Sequence, residues 1–288
     1  MAMLFIATIF FIIALAVHRK QAFEFCWQPT RHTWVAVGTG LLAFGLSASM
    51  LLFDGPSSLG ASIIHYGLIY VGCGFAIPWG YTLLVERNSV ASMGLTRERW
   101  LLSLILNVGV AALFSPLIIF EIDLSAINWL QFGKAAFTLT GAGGLFELFL
   151  YYGFIHLRLK KAFGPIPAIV GTSALYMLWH VGTQLPYEPD PVAALGKLFL
   201  VGIMYQSLFS ITYNLLTIWP FFLCVGVMID VAINIGAIEP ISQQLPYAVA
   251  TVVLIIVTGV VLAWIVRPQS KLNRQIQQAK TTIGEEIV

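Results

Sequence analysis

The sequence predicts an all-α fold, a polytopic bundle of about eight or nine transmembrane helices, and three observations lead there. The 288-residue chain is 59% hydrophobic and only 10% charged, with a mean hydropathy of +0.88, too apolar for a soluble domain with a charged surface. Apolar runs of roughly 20 residues, the helical length that crosses about 30 Å of hydrocarbon, recur along most of the chain. These runs are unbroken Leu, Ile, Phe, Ala and Val, whereas the strands of a membrane barrel alternate over about ten residues.

Nine runs are placed at about 2–17, 33–53, 61–85, 100–120, 134–157, 166–185, 194–216, 218–237 and 246–266. The first has no basic stretch before it and is followed by His18, Arg19 and Lys20, the pattern of a retained anchor rather than of a cleaved leader. The second and fourth carry almost nothing ionisable, and the third only His65. The fifth, between Lys134 and Arg158, holds one formal charge, Glu147, after a Gly-Ala-Gly-Gly cluster at 141–144 that favours close helix approach or a local distortion. The sixth ends near His180, and the eighth contains Asp230 and Asn234 after a short turn at 217–220. The ninth is apolar throughout and precedes a basic tail at 267–280.

Nine crossings put the termini on opposite sides. Of the 15 Lys and Arg residues, only Lys134 and Lys197 fall on one side, which the positive-inside bias reads as N-terminus out and C-terminus in. The expected location is a multi-pass position in a membrane, taken to be a bacterial plasma membrane. A net charge of +2 points away from a nucleic-acid partner and toward membrane lipids touching the basic tail. Cys26, Cys73 and Cys224 have neither metal-ligand spacing nor an evident pairing. Trp27, Trp34, Trp100, Trp129 and Tyr247 sit near run ends as interfacial anchors, and His156, beside Arg158, is expected to meet headgroups.

A carboxylate at a bilayer centre costs roughly 2.5–3.5 kcal/mol on insertion scales, so Glu147 requires a reason. Counting from the inner boundary at 1.5 Å per residue, Glu147 lies about 16 Å up, His180 about 22 Å, Asp230 about 18 Å and Asn234 about 24 Å. The four polar groups are therefore expected in one layer, with Asp230 and Asn234 sharing a helix face at i and i+4. Tyr151, four residues after Glu147, is spaced to hydrogen-bond it. Each of these residues also has a plainer reading: Glu147 as a structural hydrogen-bond partner, His180 as an interfacial histidine, Asp230 and Asn234 as contacts between helices.

Residues 147–163, Glu-Leu-Phe-Leu-Tyr-Tyr-Gly-Phe-Ile-His-Leu-Arg-Leu-Lys-Lys-Ala-Phe, then Gly164-Pro165, then a helix with Tyr176-Met-Leu-Trp-His180, resemble the CPBP intramembrane peptidases, which include type II CAAX prenyl proteases and bacteriocin-processing or immunity proteins. That family carries Glu-Glu-x-x-x-Arg, Phe-x-x-x-His and His-x-x-x-Asn/Asp. Aligned on Gly153, Glu147 takes the first Glu, Leu148 the second and Tyr152 the Arg; His180 matches the second motif with Tyr176 for Phe, and Asp230 and Asn234 match the third with Asp for His. Leu148, Tyr152 and Asp230 depart from the pattern. The likeness covers about 130–240, suggesting N-terminal helices at 1–125, a core at 126–240, and a last helix with the basic tail at 241–288.

The resemblance implies hydrolysis of a peptide bond in a membrane-associated or lipidated substrate. Glu147 and His180 would activate a water, Asn234 would donate to the oxyanion, and Asp230 would orient His180 or serve as an auxiliary acid. Tyr151, Tyr152 and Tyr176 are candidates for substrate contact. Glu147, His180 and Asp230 also suit zinc or iron by ligand type, but no sequential metal motif is present and no metal or cofactor is assigned. Two rivals stand beside this reading: an inactive relative that binds or scaffolds a membrane partner, and a proton-coupled carrier, for which the chain lacks internal repeats.

Overall fold

A computed structural model describes residues 2–18, 26–53, 58–121, 127–183 and 190–234. Among them the fold is all-α, without a strand. The helices are α1 (Ala2–Val17), α2 (Arg31–Ser49), α3 (Leu59–Val85), α4 (Trp100–Glu121), α5 (129–163), α6 (Pro165–Trp179), α7 (Pro191–Thr212) and α8 (Phe221–Asn234). They fall on the first eight apolar runs; the ninth run, Tyr247 and the basic tail lie outside the described residues. Arg31–Leu52, Leu59–Val85 and Pro191–Thr212 are long and apolar enough to cross a membrane, and Leu4–Val17 and Trp100–Leu113 are shorter apolar helices.

Local chemistry sets the helix ends. Asp190 caps α7 by accepting from the amides of Val192 and Ala193 at 3.1 and 3.0 Å, with Pro191 at the first helical position, where no N–H is needed. The Asn128 side chain accepts from Gln131 N at 3.2 Å at the start of α5. Gly164, at φ +97°, breaks α5 from α6, and Pro165 opens the next helix. Helix α5 itself alternates: α-type at Trp129–Thr138, Gly144–Glu147 and Leu157–Phe163, and wider π-type at Leu139–Gly143 and Leu148–His156. The first π-type turn falls on the glycine cluster. Gly144 also takes the side chain of Leu223, which an added Cβ would meet at 2.6 Å, so the cluster serves both distortion and close approach.

The chain divides into two units, Met1–Leu245 and Pro246–Val288, the second outside the described residues. The expected boundary at 125 falls at 122–126, outside the described residues. Ala36, Ala43, Tyr70 and Cys73 from α2 and α3 share one apolar core with Phe146, Tyr151, Ile155, Tyr176 and Trp179 from α5 and α6. Helix α1 lies along α7, α7 along α6, and α8 along α4.

The basic end of the bundle departs from expectation. Arg158 is buried rather than at a headgroup boundary, 7% exposed. Its Nε and Nη2 donate to Glu86 Oε1 and Oε2 at 2.8 and 2.5 Å, Nη2 also to Thr82 Oγ1 at 2.8 Å, and Nη1 to the carbonyls of Gly153 and Phe154 at 3.4 and 3.1 Å. The guanidinium lies 4.0 Å over the Phe154 ring. His156, expected at the headgroups, is fully buried against Phe209 and Tyr213. Trp27, Trp34, Trp100 and Trp129 are exposed.

The reversal between α7 and α8 is buried. Asn214 donates to the carbonyls of Thr96 and Glu98 at 2.7 and 2.9 Å and accepts from Leu216 N at 3.0 Å. Asn107 of α4 donates to Leu216 O at 2.7 Å and accepts from Phe222 N at 2.8 Å. Leu215, Thr217 and Ile218 are consequently shielded at a chain reversal that sequence alone places at a surface.

Candidate functional site

Glu147 is the last residue of the α-type turn Gly144–Glu147, where α5 begins to widen into its second π-type stretch, a backbone feature often found at functional positions. Gly74 of α3 allows this turn to be approached closely, since a Cβ there would meet Phe146 Cα at 2.9 Å. His180 opens the 3-10 turn His180–Gly182 that ends α6. The Gly182 amide donates to Ser47 Oγ of α2 at 3.0 Å. The structure brings these two groups together: His180 Nε2 lies 4.0 Å from Glu147 Oε1, with both side chains almost wholly enclosed.

His180 is held in one tautomer. Its Nδ1 is 2.8 Å from the carbonyl of Tyr176; a carbonyl only accepts, so Nδ1 carries a proton, and Nε2 is the ring nitrogen that faces Glu147. Tyr176 and Trp179 flank the imidazole, with ring centroids at 4.7 and 4.3 Å. At 4.0 Å Nε2 and Oε1 are too far apart to hydrogen-bond directly. A water about 2.8 Å from both would subtend roughly 90°, donating one hydrogen to each and keeping its own lone pairs outward.

The tyrosines behave differently from expectation. Tyr151 and Tyr152 are fully buried, and neither hydroxyl hydrogen-bonds a described protein group, so Tyr151 does not bond Glu147 and neither presents a surface to substrate. Tyr151 packs edge-on to Phe146 and Tyr176 at 5.7 and 5.6 Å. Tyr176, also buried, offers its backbone carbonyl to His180 Nδ1. Leu148 is buried as well.

Asp230 and Asn234 lie on the backbone of α8, but their side chains are outside the described residues. The contacts of their neighbours correct the common-layer expectation. Helix α8 meets Gly144 through Leu223 and then runs toward the start of α5, where Val227, Met228 and Val231 pack with Ile127, Phe132 and Ala135. That level is on the order of 15–20 Å from Glu147 along α5 at 1.5 Å per residue. Among the described residues no three His, Cys, Asp or Glu side chains converge as a metal cage would require.

Two residues of the first half join the site without a sequence signal that names them. Tyr70 stacks on Phe146 at 5.1 Å and is an electrostatic neighbour of Glu147. His65 lies 4.4 Å from the Tyr70 ring and 6.4 Å from that of Trp179. Its being the lone ionisable group of its apolar run was the available hint. The Trp179 indole N–H is buried without an acceptor among the described protein groups, leaving a donor beside the pair. No protein-family profile, curated protein or solved structure matches the chain.

Proposed function

We propose that the protein is a multi-pass membrane hydrolase, an intramembrane peptidase that cleaves a membrane-associated or lipidated peptide by water activation at Glu147 and His180. The observation that carries the reading is the enclosed carboxylate–imidazole pair, 4.0 Å apart with the imidazole tautomer set by Tyr176. Glu147 takes a proton from the water as it attacks the carbonyl carbon, and His180 aligns the water through Nε2. The proton then passes to the leaving amine. The Trp179 N–H is a donor beside the pair for the developing oxyanion. Asp230 and Asn234, on a helix segment directed toward the other end of α5, have no part in this scheme. The resemblance of residues 147–180 to the CPBP peptidases supports the same chemistry. The reading includes an N-terminus outside and C-terminus inside a bacterial plasma membrane, supported by the gathering of Arg99, Arg158 and Lys160 at one end of the bundle.

The test compares wild type with Glu147→Gln and His180→Ala in native membranes by mass-spectrometric identification of new protein termini. Loss of the same termini in both variants, at unchanged protein level, is the expected result. If no terminus depends on either residue, hydrolysis is wrong and a binding or scaffolding role replaces it.

A further inference from the structure

The interface between α5 and α7 contains polar groups that the hydrolytic pair does not use. Tyr152, His156 and Gln206 are each fully buried. The Tyr152 hydroxyl, both ring nitrogens of His156, and both amide atoms of Gln206 have no hydrogen-bond partner among the described protein groups. The Gln206 amide and the His156 ring are within hydrogen-bonding reach of each other, at a geometry too loose to satisfy either group. Polar atoms sealed from solvent are nearly always bonded, to protein or to ordered water, because leaving them unmade is expensive. Even with that contact, His156 and Gln206 each keep a further polar atom, and Tyr152 its hydroxyl, that no described side chain answers.

These groups also form a line. Winding of the π type, with i→i+5 bonds and about 4.4 residues per turn, puts residues nine apart on one side of a helix; ordinary winding at 3.6 puts them on opposite sides. Residues Leu148–His156 wind this way, and Tyr152 and His156 both face α7, meeting on Phe209. Tyr152 is also an electrostatic neighbour of Glu147. Beyond His156, whose ring is 6.0 Å from that of Tyr213, the Tyr213 hydroxyl sits 3.3 Å from His18 Nε2. Both of these last residues are partly exposed at the basic end of the bundle.

We propose that Tyr152, His156 and Gln206 hold a file of ordered water between α5 and α7, and that this file brings water and protons from the basic end of the bundle to Glu147. The hydration stands independently of the hydrolytic reading; the delivery role rests on it. In each cycle the file supplies one water, whose O–H bond breaks as its oxygen joins the carbonyl carbon. The proton held by Glu147 goes to the amine product, and no redox partner is involved.

Two measurements on the full chain in lipid nanodiscs test the two parts separately. Radiolytic hydroxyl labelling in ¹⁸O-water, read by mass spectrometry, reports water beside a buried ring. Tyr152, His156 and Phe209, which packs on both, are expected to be oxidised at least ten-fold faster than the buried rings of Phe10 and Phe132. Equal rates would overturn the water file, whatever the protein cleaves. Gln206→Leu is expected to lower kcat several-fold with KM unchanged and to enlarge the solvent isotope effect. An unaltered kcat and isotope effect in that variant, with labelling of His156 reduced, would overturn the delivery role. Should labelling succeed while no cleavage depends on Glu147, the hydrated interface stands, and both the hydrolytic reading and the delivery role fall.

Discussion

Severing the buried Arg158–Glu86 pair is expected to be among the most damaging changes at the basic end of the fold. Both side chains are about 8% exposed, so solvent screening gives little relief, and removing one partner of such a pair costs about 3–5 kcal/mol. The structure ranks the two single variants. Glu86→Met leaves the guanidinium with Thr82, two carbonyls and the Phe154 face, placing it at the lower end. Arg158→Met leaves a carboxylate with His32 and the Asn88 amide, both at 3.5 Å, placing it at the upper end. Thermal unfolding in nanodiscs, followed by tryptophan fluorescence, should show losses of roughly 6–20 °C at 2–4 °C per kcal/mol. The double variant, with no charge left unpaired, should cost less than the sum by about 2 kcal/mol or more. Single losses under about 1 kcal/mol that add without coupling would refute the assignment of the pair as a stabilising pin.

Two further outcomes follow from local geometry and charge. Gly182→Ala would place a Cβ 1.7 Å from the Ser47 carbonyl oxygen; it should cost about 1–3 kcal/mol or more and disturb His180, whereas Gly38→Ala, with nothing within 4 Å, should be neutral or slightly stabilising. Paired unfolding curves decide this, and a harmless Gly182→Ala would mean that α2 does not back the His180 turn. Lys160, beside the Tyr213 ring at 3.3 Å, has its pKa lowered to about 8 by burial and then by Arg99 and Lys161. Between that value and 10.5 the unfolded chain binds more protons, so stability should rise with pH across the window. Amine-reactive labelling resolved by peptide should show a midpoint near 8 at Lys160; a midpoint near that of free lysine would contradict the packing.

The helical class and the helix positions were legible because each depends on a run of apolar residues, a property of neighbours in sequence. Glu147 was legible for the same reason, one charge in an uncharged stretch, and His180 through the local pattern by which residues 147–180 resemble a family. Tyr70 and His65 were not, because they reach the site from α3 by stacking on Phe146 and Tyr70 respectively, and nothing in a one-dimensional pattern reports which faces of two helices meet. The layer assigned to Asp230 failed for a definite reason. Its height was counted from Thr217 as a boundary residue, whereas Thr217 is completely buried in the reversal between α7 and α8. Arg158 misled in the opposite direction: a basic residue after an apolar run reads as a headgroup contact, and only the distant Glu86 made it an interior one.

That buried reversal also decides where the chain goes after α7. A loop at a membrane surface is tolerated because water answers its backbone; here the carboxamides of Asn107 and Asn214 do so instead. The turn starts beside the loop at 96–98, at the basic end of the bundle, and runs inward along α4 with its backbone held by neighbouring side chains. The course of the chain after α7 is thereby tied to two amide side chains. Sidedness probes placed before and after Asn214 read that arrangement directly, where hydropathy plots see only a gap between peaks.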